Sequence, residues 1–124
     1  MQIQQKFPTL IPALITVESG GNDNAIGDRS LKYHAYGCLQ IRQPYITDVN
    51  RVFGTKYTTE HCMGMTGRSI SIDIFEKYMS IYATPKRLGR EVTAQDIARI
   101  HNGGPNGWKS GYTVGYWLKV KKLL

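Results

Sequence analysis

The chain has only two cysteines in 124 residues, Cys38 and Cys62. Two cysteines cannot build a disulfide framework, and these two lack metal-ligand spacing. They are expected as semi-buried thiols; a bridge between them would add roughly 3 kcal/mol in the chain-entropy account. Long apolar runs are missing too. No stretch approaches the length of a membrane-spanning helix, so no membrane insertion is expected. Met1 to Lys6 is polar and the apolar stretch after it is broken by Pro8 and Pro12, so no secretory leader is visible. His34, His61 and His101 lack spacing of the His-Glu-x-x-His kind, and Gly103-Gly104-Pro105-Asn106-Gly107 is followed by no Lys-Ser or Lys-Thr. No serine sits in a nucleophile-elbow glycine pattern. No metal and no cofactor are therefore expected.

Acidic residues are scarce: nine Asp and Glu stand against sixteen Lys and Arg, a formal net charge of +7. Such a balance favours polyanionic partners. The basic residues are dispersed, apart from Lys119, Lys121 and Lys122. No basic block carries interleaved aromatics, and no zinc-finger or RNA-recognition signature is present, so nucleic acid is not an expected partner. An anionic cell wall fits better.

What is present is enough for one compact domain over residues 1–124, expected to be a monomer. Hydrophobic content of 41% suits a packed core. The patterning predicts a mainly α fold with a short irregular β region. Thr9 caps a helix over 10–19, in which Leu10, Leu14 and Val17 form one stripe with Ile11 and Ile15 beside it. Gly20 and Gly21 stop it. Residues 22–36 are rich in turn formers and predict a loop with a small hairpin. Residues 35–41 return the chain to the core. Pro44 at the first position opens a helix carrying Ile46, Val49 and Phe53 on one face, and Gly54 ends it. The longest helix runs over 67–83, with Ile70, Ile74, Tyr78 and Ile81 at helical spacing. Thr93 caps a fourth helix, with Asp96 completing a capping box. That helix runs into the break at His101-Asn102-Gly103-Gly104-Pro105. Thr113 caps the last helix, with Tyr116, Trp117 and Val120 as its buried side.

Glu18 and Asp28 carry the chemistry worth attention. Cleaving a glycosidic bond takes a proton donor for the leaving oxygen and a second carboxylate that acts as nucleophile or activates water. Glu18 follows Ile15 and Val17 and lies in the last turn of its helix, where the dipole disfavours a negative charge. That is a donor's setting. Asp28, in the polar Gly27-Asp28-Arg29-Ser30 loop, suits the ionised partner, with Arg29 adjacent. Taken alone, the pair reads as a solvated surface glutamate and a turn aspartate, and does not point to catalysis.

The segments taken together carry more. Glu18-Ser19-Gly20, the Gly-x-x-Gln-Ile-x-x-x-Tyr run from Gly37 to Tyr45, Ala-Arg-Ile-His-Asn-Gly-Gly-Pro-Asn-Gly from Ala98 to Gly107, and Thr-x-Gly-Tyr-Trp-x-Lys-Val from Thr113 to Val120 resemble the lysozyme superfamily. Within it, the likeness is to the invertebrate-type, destabilase-like lysozymes. The resemblance implies a muramidase that hydrolyses peptidoglycan between N-acetylmuramic acid and N-acetylglucosamine, with Glu18 as general acid/base. It implies Asp28 as second carboxylate, with Asp23 as fallback, because the loop before Gly37 differs in length from the family's. It assigns Gln40, Tyr45, His101, Asn102 and Gly103 to the sugar cleft, between the end of the Glu18 helix and the His101 turn. The paucity of cysteine departs from the disulfide-dense animal members and fits a chain made in a reducing cytosol and released onto the wall, as a bacterial or phage lysin would be. Two rivals remain: a lytic transglycosylase using Glu18 alone, and a non-catalytic wall-binding module.

Overall fold

A computed structural model describes residues 2–124, and they divide into two compact units. One comprises residues 2–17 and 78–124, the other residues 18–77. Both boundaries fall within helices, between Val17 and Glu18 and between Lys77 and Tyr78.

The first unit opens with a four-residue helix, α1 (Ile3–Lys6), which the sequence pattern did not announce. It has no side-chain cap, and Ile3 is its one buried residue. Helix α2 (Leu10–Ser19) has the expected bounds. The Thr9 carbonyl accepts from the Ala13 N–H, which places Pro12 in the first turn, where no intrahelical donor is missed. Leu10, Ile11, Ala13, Leu14 and Ile15 are buried, while Val17 is half-buried. Short helix α5 (Pro85–Leu88) starts at Thr84, whose hydroxyl accepts from the Arg87 N–H. Helix α6 (Ala94–Gly103) begins at the expected capping box: the Thr93 hydroxyl accepts from the Asp96 N–H, and Asp96 accepts from the Thr93 N–H. Arg90 clamps the same carboxylate with two bonds of 2.7 Å. Burial opposes a charge there. The Arg90 and Thr93 hydrogen bonds nevertheless hold the Asp96 carboxyl below its ordinary range.

Two 3₁₀ turns, Gly107–Lys109 and Gly111–Thr113, lead into α7 (Val114–Lys121). Thr113 stands at its N-cap position, but its side chain caps nothing. The hydroxyl instead donates to the Gly107 and Ser110 carbonyls and accepts from Arg99 Nε at 2.8 Å. The hydroxyl is thus turned to the Arg99 side chain and the two carbonyls rather than to the first amides of α7. Of the expected inner side of α7, Val120 is buried and Tyr116 and Trp117 are half-buried.

The second unit holds the β region, a two-stranded antiparallel pair of β1 (Ile26–Gly27) and β2 (Ala35–Tyr36), in register Ile26 to Tyr36 and Gly27 to Ala35. An isolated bridge joins Tyr36 to Ile41, and Ala35, Cys38, Leu39 and Ile41 are buried. Helix α3 (Gln43–Phe53) places Pro44 second rather than first, after Arg42 at the N-cap. Gly54 ends it in the left-handed region at φ 68°. Ile46 and Val49 are buried; Phe53, expected beside them, is exposed in the last turn.

Helix α4 (Gly67–Tyr82) crosses from this unit into the first. Its buried residues are Ser71, Ile74, Phe75, Tyr78 and Met79, whereas Ile70 and Ile81 are half-buried. The buried face is thus turned by about one residue from the predicted stripe. Isoleucines at 70, 72 and 74 blur the helical period. Ser71 can be buried because its hydroxyl serves the Cys62 carbonyl. Cys38 and Cys62 are free, buried thiols. Burial pushes the Cys62 thiol up to about 11, against the Ser71 hydrogen bond that favours its thiolate.

Candidate active site

Glu18 is half-buried in the last turn of α2, and the chain turns away from it through Gly20 and Gly21 at φ 62° and 87°. Positive φ is costly for residues with a Cβ, so paired glycines make the sharp stop here. The helix end is then tied down. The hydroxyl of Ser19 donates to the Cys38 carbonyl at 2.8 Å, joining the residue after Glu18 to the segment that carries Gln40. Arg68 donates through Nη2 to the Gly21 carbonyl at 2.7 Å and through Nε to Asp23 at 2.8 Å. Asp23, the fallback second carboxylate, is therefore part of the brace behind the turn.

Asp28 and Gln40 share an unusual property. They are the only non-glycine residues with positive φ among the described residues, at 56° and 52°. Left-handed backbone at a residue with a Cβ costs on the order of 1 kcal/mol and collects at functional sites. Gln40 holds the hairpin: its amide nitrogen donates to the Ala25 carbonyl at 3.2 Å and the Gly37 carbonyl at 3.1 Å. Its amide oxygen lies so close to Gly27 that a Cβ there would strike it. Gly27 directly precedes Asp28, so the packing of Gln40 fixes where the Asp28 loop begins.

Asp28 is exposed, and its carboxylate accepts a hydrogen bond from Arg42 Nη2. Arg42 Nη1 also donates to the Tyr33 carbonyl at 3.4 Å. One guanidinium thus closes the 28–33 loop at both ends. The sequence suggested Arg29 for the charge partner because it is adjacent. The fold instead supplies Arg42, fourteen residues away, and Arg29 points into solvent as an exposed residue. Beyond the loop lies a cavity of about 250 Å³ lined by Lys32, Tyr33, His34, Tyr36, Gln43 and Thr59. Tyr45, half-buried, stands one turn into α3.

In the other unit, His101 is buried near the C-terminal end of α6, while Asn102 and Gly103 are exposed. The glycines here allow close approach: a Cβ on Gly103 would strike the Thr113 methyl, and one on Gly107 would strike the Arg99 carbonyl. Arg87 donates to the Pro105 carbonyl and to Asn106 Oδ1. A larger cavity in this unit, about 530 Å³, is lined by Gln2, Gln5, Lys6, Pro85, Glu91 and Val92. It holds none of the candidate residues, and its Lys6 and Glu91 already pair at 2.8 Å. Its volume is no reason to prefer it over the smaller polar cavity lined by Tyr33 and Tyr36. Among the described residues no group of three or more His, Cys, Asp or Glu could hold a metal ion.

A mainly helical chain with one two-stranded hairpin between a glutamate-ending helix and a Gly-x-x-Gln-Ile segment defines a lysozyme-like protein. The comparisons agree. No protein-family model matches the chain. It is 32% identical over 91 residues to a lysozyme of Meretrix lusoria, covering 70% of this chain and 66% of that one. It is 34% identical over 93 residues to the invertebrate-type lysozyme of Ruditapes philippinarum, covering 70% and 59%. The crystal structure of Aeromonas hydrophila PliI in complex with Meretrix lusoria lysozyme matches at a TM-score of 0.76 and 27% identity, over 93% of this chain and 88% of that one. The chain belongs to the invertebrate-type lysozyme family. It spans about two thirds or less of the length of these two curated relatives.

Proposed function

We propose that this protein is a muramidase that hydrolyses the bond between N-acetylmuramic acid and N-acetylglucosamine in bacterial peptidoglycan. Glu18 protonates the leaving oxygen and then activates water, and Asp28 acts as nucleophile or stabilises the oxocarbenium-like centre. The observation that carries this reading is the local strain at Asp28 and Gln40, the only left-handed non-glycine residues described, both singled out from sequence. Gln40, with both amide hydrogens engaged by backbone carbonyls, acts as a positioning residue rather than a sugar ligand. The reading keeps the sugar-contact roles that the family resemblance gives Tyr45, His101, Asn102 and Gly103. The tyrosines, amide and hydroxyl of the cavity lined by Tyr33, Tyr36, Gln43 and Thr59 suit the same polar, ring-shaped substrate.

The protein acts at the bacterial wall, and the excess of positive charge aids its encounter with an anionic polymer. An inhibitor of the PliI kind is a candidate partner, since a Meretrix lusoria lysozyme forms a complex with PliI.

Purified protein, Glu18→Gln and Asp28→Asn, assayed on a peptidoglycan suspension with product analysis, test the reading. Expected are clearance by the parent protein, reducing muramic acid ends, and losses of at least about 10²-fold in both variants. Anhydromuramoyl ends with a tolerant Asp28→Asn would make it a single-carboxylate transglycosylase. Binding without clearance, unaffected by Glu18→Gln, would leave a wall-binding module.

A further inference from the structure

The net charge is not shared between the two units. Residues 18–77 carry seven Lys and Arg and seven Asp and Glu, whereas residues 1–17 with 78–124 carry nine basic residues against two acids. The whole +7 therefore belongs to that second set. Its two acids are already engaged, Glu91 by Lys6 and Asp96 by Arg90. The strongest concentration is at α7 and just beyond it, where Lys119, Lys121 and Lys122 occur with no acid between Gly111 and Leu124.

The same stretch exposes apolar surface. Five of the ten exposed large hydrophobic side chains among the described residues fall in it: Tyr112, Val114, Leu118, Leu123 and Leu124. Tyr112 is 98% exposed and Leu118 51%, which rules out service in a core. At about 100° per residue, buried Val120 and half-buried Tyr116 and Trp117 mark the inner side of α7. Val114 and Leu118 then lie one above the other on the outer side, with Lys121 on one flank and Lys119 on the other. An apolar ridge flanked by lysines combines a surface that prefers an acyl boundary with charges that prefer phosphate headgroups.

We propose that α7 and the residues around it dock this protein on an anionic lipid surface. Lysines on both flanks reach phosphate headgroups, and the ridge of Val114 and Leu118, extended by Tyr112, enters the acyl boundary. A hydrophilic polyanion would satisfy the lysines and leave the ridge in water. An apolar groove on a protein would cover the ridge and strand the lysines. A charged bilayer takes both at once. Docking is peripheral, because no helix among the described residues is long and apolar enough to cross a membrane. The proposal does not depend on glycan cleavage.

Vesicle co-sedimentation tests it, with equimolar phosphatidylglycerol and phosphatidylcholine compared with phosphatidylcholine alone at physiological salt. The parent protein should partition onto the anionic vesicles only. Each of Lys119→Gln, Lys121→Gln and Lys122→Gln should lower the partition coefficient roughly fivefold. Leu118→Asn should lower it severalfold, and Lys56→Gln in the neutral unit should leave it unchanged. Circular dichroism and thermal melting confirm that each variant is folded; all are at exposed positions, so folding should persist. Equal binding to neutral vesicles, no binding to either, or full retention in all three lysine variants would overturn the proposal. So would a partition indifferent to Leu118→Asn, which would mark a purely electrostatic contact of the kind a soluble polyanion makes.

Discussion

The guanidinium of Arg42 donates both to the carboxylate of Asp28 and to the carbonyl of Tyr33, so a single side chain holds the loop that presents the proposed second carboxylate. Both partners of the ion pair are about two-fifths exposed, at 42% and 41%. Solvent screening leaves such a pair worth about 0–1 kcal/mol of stability. Its value must lie in aim rather than in folding energy. Arg42→Gln should therefore melt within a few degrees of the parent protein yet lose about tenfold in kcat on peptidoglycan, with little change in KM. Arg42→Lys, which keeps the charge but not the planar fork, should recover only part of the loss. A large fall in melting temperature with unchanged turnover would assign Arg42 to folding instead.

Gly37 makes a second, sterically stricter prediction. Its φ is 78°, and a Cβ there would strike the Cys62 carbonyl. Its N–H donates to the Ala25 carbonyl at 2.8 Å, which ties the hairpin to the Gln40 segment. Gly37→Ala must pay for left-handed backbone and displace a buried carbonyl at once. A loss of about 2–4 kcal/mol in urea denaturation is expected. Gly54→Ala is the control: its φ is 68°, but nothing lies within 4 Å of the added methyl, so it should lose about 1 kcal/mol from strain alone.

How much of this was legible in the sequence depended on the range of the interaction. Helices with local punctuation read true: α2 between Thr9 and the Gly20-Gly21 pair, and α6 from its Thr93–Asp96 box. Their boundaries are set by residues within four positions of each other. Glu18, Gln40 and the hairpin were placed in the right local structures for the same reason. Features set by longer-range contacts or by very short segments escaped. Helix α1 is a single turn with one buried residue, too short to show a period. The buried face of α4 follows Ser71 rather than Ile70, because a hydroxyl contact to Cys62 makes a serine acceptable inside. The Arg42–Asp28 pair joins residues fourteen apart across a hairpin, and chain adjacency pointed to Arg29 instead. Equally hidden was the role of Gln40, which belongs to the cleft in the family resemblance but whose amide hydrogens go to the backbone.

Asp96 should shape the acid limb of stability. Although burial opposes its charge, Arg90 and Thr93 hold its carboxyl below the ordinary aspartate range. A depressed folded-state value means that its stabilisation is complete above the unfolded aspartate value of about 3.9 and is lost as pH falls through the folded value. Asp96→Asn should cost about 1–2 kcal/mol at pH 7, since the amide keeps part of the cap but loses the charge clamp. The gap between parent and variant should narrow steadily below about pH 4. Asp73, also held low against its burial by Lys77 and Tyr57, keeps an acid limb in the variant. A gap that stays constant with pH would show that Arg90 contributes nothing through charge.

The two buried thiols, Cys38 and Cys62, give the last test. Cys38 and Cys62 are both fully buried, and burial raises both thiols, Cys62 to about 11. Reaction with a disulfide reagent needs the thiolate, and at pH 8 a group near 11 supplies only about 0.1% of it. Ellman's reagent should therefore find no fast-reacting thiol in the native protein and two after denaturation in guanidinium. Native labelling at pH 8 should then follow opening of the fold, slowing in Lys-to-Gln surface variants not at all and quickening in Gly37→Ala, which loosens the carbonyl of Cys62 itself. A single denatured-state titre of zero would instead mean that the two cysteines pair, and that a disulfide, not packing alone, closes the second unit.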